Sequence, residues 1–201
     1  LDDLIQLHHS GRLDEDERGY RALLAGPTAA AALHLLGILR AQRGDLPEAY
    51  GLVQRASGLA PENAACRHTL GEMYLSEGRL DEAQQAYDQA RQLNPNLASA
   101  HSGLGQVALL RGDLDAAEGH FRVALRADEN DVQALTGLGN VAQARGDAVR
   151  ALQLLTQAAE LAPGDALIQT SYARAMLDQG MLDFAARALD NALAAKPDYP
   201  L

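Results

Sequence analysis

The chain has 201 residues, 47% of them apolar, and carries 27 acidic against 17 basic side chains for a net charge of −10. The acid is spread along the chain, which disfavours nonspecific binding to DNA or RNA and to anionic membrane surfaces, both of which need a basic face. Cys66 is the only cysteine, so no intrachain disulfide can form, and no apolar run approaches the roughly 18 residues needed to cross a bilayer.

In chain order, residues 1–29 predict a clipped helical pair. Leu1–His9 reads as the end of a first helix, Gly11 as a loop, and Leu13–Leu24 as a second helix, with Tyr20 packed inward and Gly26-Pro27 as its stop. His8 and His9 are adjacent, so on a helix they point apart and do not share a metal. The chain begins with Leu1 and shows no signal-peptide pattern, which reads as a fragment and assigns no compartment.

From residue 30 onward one pattern recurs. Gly44, Gly78, Gly112, Gly146 and Gly180 are evenly spaced and each closes a helical pattern, where a left-handed residue commonly ends the helix. Gly37, Gly71, Gly105 and Gly139, with Ala173 fifth, keep the same spacing in mid-helix, where glycine costs roughly 1 kcal/mol against alanine. The expected reason is close approach of a paired helix presenting Ala49, Ala83, Ala117, Ala151 and Ala185, while Ala56, Ala90, Ala124, Ala158 and Ala192 let that helix meet the next pair. Leu36, Leu70, Leu104, Leu138 and Tyr172 form one ladder of large residues, and Val53, Tyr87, Phe121, Leu155 and Leu189 another. Pro61, Pro95, Pro163 and Pro197 stop the second helices, and Glu129 replaces proline without moving the register. Asp45, Asp113 and Asp147 are placed to cap them, Asp45 with Glu48 at capping-box spacing.

Residues 64–97 show the pattern most fully, with Leu70, Gly71, Tyr74, Gly78, Ala83, Tyr87, Ala90 and Pro95 in place. This stretch resembles the tetratricopeptide repeat, whose period of 34 residues the chain keeps. The resemblance implies an all-α fold, a right-handed α-solenoid (superhelix) of antiparallel helix pairs. Five repeats are expected, at 30–63, 64–97, 98–131, 132–165 and 166–199, after a degenerate partial repeat at 1–29 and before a tail at 200–201. A terminal repeat presents one face to water, consistent with Asp16 where the other repeats have alanine. At the other end no further helix follows Pro197, so Phe184, Leu189 and Leu193 are expected to be partly uncovered and to support weak self-association.

Catalytic signatures are missing. Gly103-Leu104-Gly105 and Gly137-Leu138-Gly139 resemble pieces of a nucleotide loop but fall inside helices, where close packing explains them. There is no nucleophile elbow, cysteine pair for zinc or His-Glu-x-x-His run, and His34 and His68 stand one repeat apart. His101 and His120 are offset to other faces. No enzyme activity, cofactor or metal is expected.

By resemblance, the first helices line a concave groove. Its ladders would be His34, His68, Ser102, Thr136 and Thr170, beside Ile38, Glu72, Gln106, Asn140 and Arg174, flanked by Ala31, Ala65, Ser99, Gln133 and Leu167. This lining is polar and nearly neutral and suits hydrogen bonding along a peptide. Arg174 would favour an acidic ligand residue and Glu72 a basic one. The carboxylate clamp of chaperone-binding repeats is missing, since its places hold His34, Ile38, Thr69, Ser99 and Gly103. The asparagine ladder of the O-GlcNAc transferase is missing too, with Leu35, Thr69, Gly103, Gly137 and Ser171 in its places. The expected function is a non-catalytic scaffold binding a peptide or protein segment. Ala32-Leu33-His34-Leu35-Leu36-Gly37 is similar to the opening repeat of bacterial proteins that carry glycosyltransferase, sulfotransferase or oxygenase domains. Substrate recognition for such an enzyme is one alternative, and end-to-end assembly is another.

Overall fold

In the computed structural model, residues 13–195 are described. Leu1–His9, Gly11, Pro197 and Tyr199, on which some expectations rest, lie outside them. Every element among the described residues is helical. α1 (Leu13–Ala22) precedes five pairs: α2 (Ala29–Gln42) with α3 (Leu46–Leu59), α4 (Ala64–Ser76) with α5 (Leu80–Leu93), α6 (Ala98–Leu110) with α7 (Leu114–Ala127), α8 (Val132–Ala144) with α9 (Ala148–Leu161), and α10 (Ala166–Asp178) with α11 (Leu182–Ala195). The fold is an all-α solenoid of helix pairs. It divides into two compact units between Pro95 and Asn96.

The loop glycines behave as their spacing predicts. Gly44, Gly78, Gly112, Gly146 and Gly180 have φ of 80°, 72°, 78°, 79° and 72°, and among the described residues no non-glycine has positive φ. A Cβ would oppose that left-handed geometry. The second helices each begin two residues after a loop glycine and run for 14 residues, α7 included, so Glu129 leaves the register unmoved.

Helix starts are capped as expected at three of these helices. The side chains of Asp45, Asp113 and Asp147 accept from the backbone N–H of Glu48, Ala116 and Arg150 at 3.2, 3.0 and 3.1 Å. The capping box at Asp45 is only half made. The Glu48 carboxylate turns to Arg40 Nε at 3.0 Å, and the Asp45 N–H is taken by the Arg40 carbonyl. Three first helices are capped as well: Asn63 accepts from Ala65, Asp131 from Ala134, and Asp165 from Leu167 and Ile168. An acceptor here satisfies donors that the helix leaves open.

In the first unit, Tyr20, Leu33, Leu36, Leu39, Val53, Leu70 and Cys66 form one apolar cluster. In the second, clusters form around Phe121 and Leu138, around Leu135 and Ile168, and around Met176 and Ala188. Both alanine sets, from Ala49 to Ala185 and from Ala56 to Ala192, are fully buried.

The mid-helix glycines face a different neighbour from the one expected. A Cβ at Gly37 would lie 2.5 Å from Val53 Cγ2, at Gly71 2.6 Å from the Tyr87 ring, at Gly105 2.6 Å from the Phe121 ring and at Gly139 2.6 Å from Leu155 Cγ. The large ladder residue of the paired helix is the first neighbour of each glycine, joined at Gly37 by the expected Ala49, whose carbonyl would lie 3.3 Å away. The alanines bring the helices close, and the space left over each glycine admits the large side chain, a ring at Gly71 and Gly105 and an aliphatic one at Gly37 and Gly139. Phe121 is held twice, because Gly137 of α8 also presses on its ring.

Candidate functional site

The two ladders assigned to the groove separate in the structure. In the first unit, His34 Nε2 and Thr69 Oγ1 are hydrogen-bonded at 2.8 Å, joining α2 to α4. Burial, and then the neighbouring His68, hold the His34 imidazole below its ordinary pKa. His68 lies beside the Tyr87 ring at 5.5 Å and 3.6 Å from the Glu72 carboxylate. In the second unit, Ser102 is 1% exposed and Thr136 8%. Ser102 Oγ donates to Asp131 Oδ2 at 2.9 Å, while Thr136 and Thr170 donate to carbonyls of their own helices, Val132 and Ala166, at 2.8 and 2.7 Å. In this ladder His34 and Ser102 therefore bond to the next first helix or its cap, while the Thr136 and Thr170 hydroxyls are turned back onto their own helices.

The neighbouring ladder is more open. Glu72 and Arg174 are exposed, and Ile38, Gln106 and Asn140 are half-buried. Of the flanking set, Ala65, Gln133 and Leu167 are exposed, and Ala31 and Ser99 are half-buried. The structure brings Asn140 and Arg174 together. Arg174 Nη2 donates to Asn140 Oδ1 at 3.1 Å and to Gln143 Oε1 at 3.0 Å, and its Nε donates to Gln143 Oε1 at 3.2 Å. Gln143 Nε2 in turn donates to Asp178 Oδ2 at 2.9 Å. Gln143 is not in the expected lining. It lies one turn beyond Asn140 on α8, and that spacing is the signal that could have found it.

A second polar feature lies at the pair-to-pair junctions. Glu118 on α7 accepts from Arg145 at the end of α8 and from Arg150 on α9 at 3.3 Å, and pairs with Arg122 at 2.6 Å. Arg145 also bonds Asp115. The Arg145 hydrogen bond above all holds the Glu118 carboxyl below its usual pKa. In the first unit, Tyr50 and Glu77 occupy the positions equivalent to Glu118 and Arg145, and the Tyr50 hydroxyl donates to Glu77 at 2.8 Å. Glu17 likewise accepts from Arg21, Arg40 and Arg43. In the second unit, His101 and His120 come within 6.0 Å, centroid to centroid.

A small cleft of about 390 Å³ beside Leu135, Leu161, Glu129 and Glu160 is open and shallow. Among the described residues no group of three His, Cys, Asp or Glu is arranged to hold a metal. No described helix is long and apolar enough to cross a membrane.

Comparison with curated proteins gives no match. Among solved structures, the chain is similar to the Cut9–Hcn1 hetero-tetramer of the APC/C, with a TM-score of 0.83 and 21% identity over 94% of this chain; it spans 38% of that chain's length. It is also similar to TTC0263, a thermophilic repeat protein of Thermus thermophilus, with a TM-score of 0.74 and 26% identity over 88% of this chain and 97% of that one. A third is YrrB, described as having an unusual peptide-binding site, with a TM-score of 0.56 and 20% identity over 89% and 92% of the two chains. Tetratricopeptide repeat models match residues 30–55, 68–132 and 142–201. With the helix pairs, the loop glycines and the alanine seams in that register, the chain belongs to the tetratricopeptide repeat family.

Proposed function

We propose that the protein is a non-catalytic scaffold that binds a peptide or protein segment on the face formed by its first helices. The family is in general one of protein-interaction scaffolds. The observation that carries the reading to this face is the bonding of Arg174, Asn140 and Gln143, side-chain donors and acceptors tied together between consecutive first helices. Gln106 and Asn140, half-buried, each offer a donor and an acceptor to a ligand backbone. Glu72 would favour a basic ligand residue. With no strong field on this face, affinity should be about micromolar and weakly salt-dependent. The double substitution Gln106→Ala, Asn140→Ala is expected to weaken a bound peptide about tenfold, roughly 1.4 kcal/mol, in titration calorimetry. Unchanged affinity in a folded variant would move the site elsewhere.

Weak self-association through α11 is a second proposal, carried by Phe184 and Leu193, which are 54% and 37% exposed on that helix. Leu189 is half-buried against Ala188 and Met176 and supports the patch from behind. In sedimentation at high protein concentration, the parent is expected to associate weakly, and Phe184→Glu with Leu193→Glu to remain monomeric. A monomeric parent would end this proposal.

A further inference from the structure

On the reading of the first-helix face as a peptide-binding surface, we infer that α10 reads an acidic side chain flanked by apolar residues in the bound protein segment. Arg174 is exposed yet held in place. Its Nε and Nη2 donate to two neutral amide oxygens on α8, and Nη1 makes no bond among the described residues. Those bonds fix the guanidinium without neutralising it, so much of the ordering that a long side chain loses on binding is already complete. A planar fork with donors to spare matches a carboxylate.

The charges around it fit that role. Asp178 lies one turn further along α10, where it could pair with Arg174, but it accepts from Gln143 Nε2 instead. Gln143 therefore spaces the cation from the nearest acid, its carbonyl on one and its amide on the other. Asp165, at the start of the helix, is occupied by the N–H groups of Leu167 and Ile168.

The same face of α10 is apolar on either side. Leu167 and Leu177 are 58% and 47% exposed. Positions 167, 174 and 177 fall within about 80° of one another at 3.6 residues per turn, and the two leucines are separated by roughly 15 Å of helix. A cation between two exposed leucines on one stripe selects an acidic residue between apolar ones, and disfavours a basic or wholly polar segment.

The test uses a random dodecapeptide library displayed on phage and panned against the full chain. Recovered peptides are expected to share an Asp or Glu flanked by Leu, Ile, Met, Phe or Val. A selected peptide, made synthetically, should bind Arg174→Gln at least tenfold more weakly and Arg174→Lys with an intermediate loss. It should also weaken on Gln143→Ala, because the released guanidinium can then turn to Asp178. Failure to recover any peptide, a consensus without an acid, or equal binding to Arg174→Gln would each overturn the inference. The Gln106→Ala, Asn140→Ala variant separates the two readings. A consensus without acid that this variant still loses leaves the binding face standing and removes only the carboxylate subsite; a consensus that every variant keeps removes both.

Discussion

Gly137→Ala is expected to destabilise the fold by roughly 1–3 kcal/mol, whereas Gly119→Ala is expected to stabilise it by up to about 1 kcal/mol. Both glycines lie inside helices, and both substitutions add one methyl. At Gly119 that methyl meets nothing within 4 Å, so the gain is the helix propensity alone. At Gly137 it would enter the Phe121 ring, which is fully buried and also packed against Gly105. The ring has nowhere to retreat, because filling a close-packed interior forces off-rotamer side chains or a backbone shift. Gly105→Leu should cost more than Gly137→Ala, as it adds a whole side chain against the same ring. Urea or thermal melts of the single variants read the sign directly. The double variant Gly137→Ala, Phe121→Leu should lose less than the sum of its parts, since the smaller side chain makes room. Equal shifts at Gly119 and Gly137, or strict additivity with Phe121→Leu, would show that the ring is not clamped.

Much of this packing was legible as a period and little of it as a direction. Even spacing identified the loop glycines, both buried alanine seams and the large ladder from Val53 to Leu189, because a repeat must solve the same packing problem at every turn of the array. It did not say which atoms meet across a pair. Ala117 and Phe121 lie one turn apart on α7, and either could face Gly105; side-chain reach decided for the ring. Direction was equally hidden at the candidate site. Ser102 and Thr136 share a face with Gln106 and Asn140 on paper, but a rotation of about 40° per four residues turns the first ladder inward. There the Ser102 hydroxyl bonds to Asp131 at the start of the next first helix, and that of Thr136 to Val132 of its own helix. Arg174 reads in the sequence as an isolated cation on the ladder; its holding by Gln143 depends on two side chains from different pairs, which no single repeat displays. The junction contacts were hidden for a chemical reason. Tyr50 with Glu77 and Glu118 with Arg145 occupy one pair of positions but match at neither of them, so recurrence of residues does not reveal the junction.

Glu118→Lys is expected to be the most damaging surface-charge substitution in the second unit. The Glu118 side chain is 11% exposed and stands among the guanidinium groups of Arg122, Arg145 and Arg150. Replacing it with glutamine should cost about 1 kcal/mol, below the roughly 1.5–3 kcal/mol of hydrogen bonds to charged groups, because its arginine partners reach solvent and salt screens them. Lysine adds a fourth cation to three that have lost their shared carboxylate, so the loss should be larger and should shrink as salt is raised. The pH dependence has a fixed sign. With its folded pKa depressed, Glu118 contributes its full stability above the ordinary carboxylate value of about 4.3, and that contribution disappears as the pH falls through the lower folded value. Parent and Glu118→Gln should therefore differ in melting temperature at pH 7 and converge in acid. A difference that persists unchanged at pH 2 would mean that glutamine perturbs packing at this junction and that the arginine cluster contributes nothing through its charge. The exchange Glu118→Arg, Arg145→Glu tests the pairing from the other side: it should recover part of the loss of Glu118→Arg, because one opposite pair is restored while Arg122 and Arg150 still face a cation.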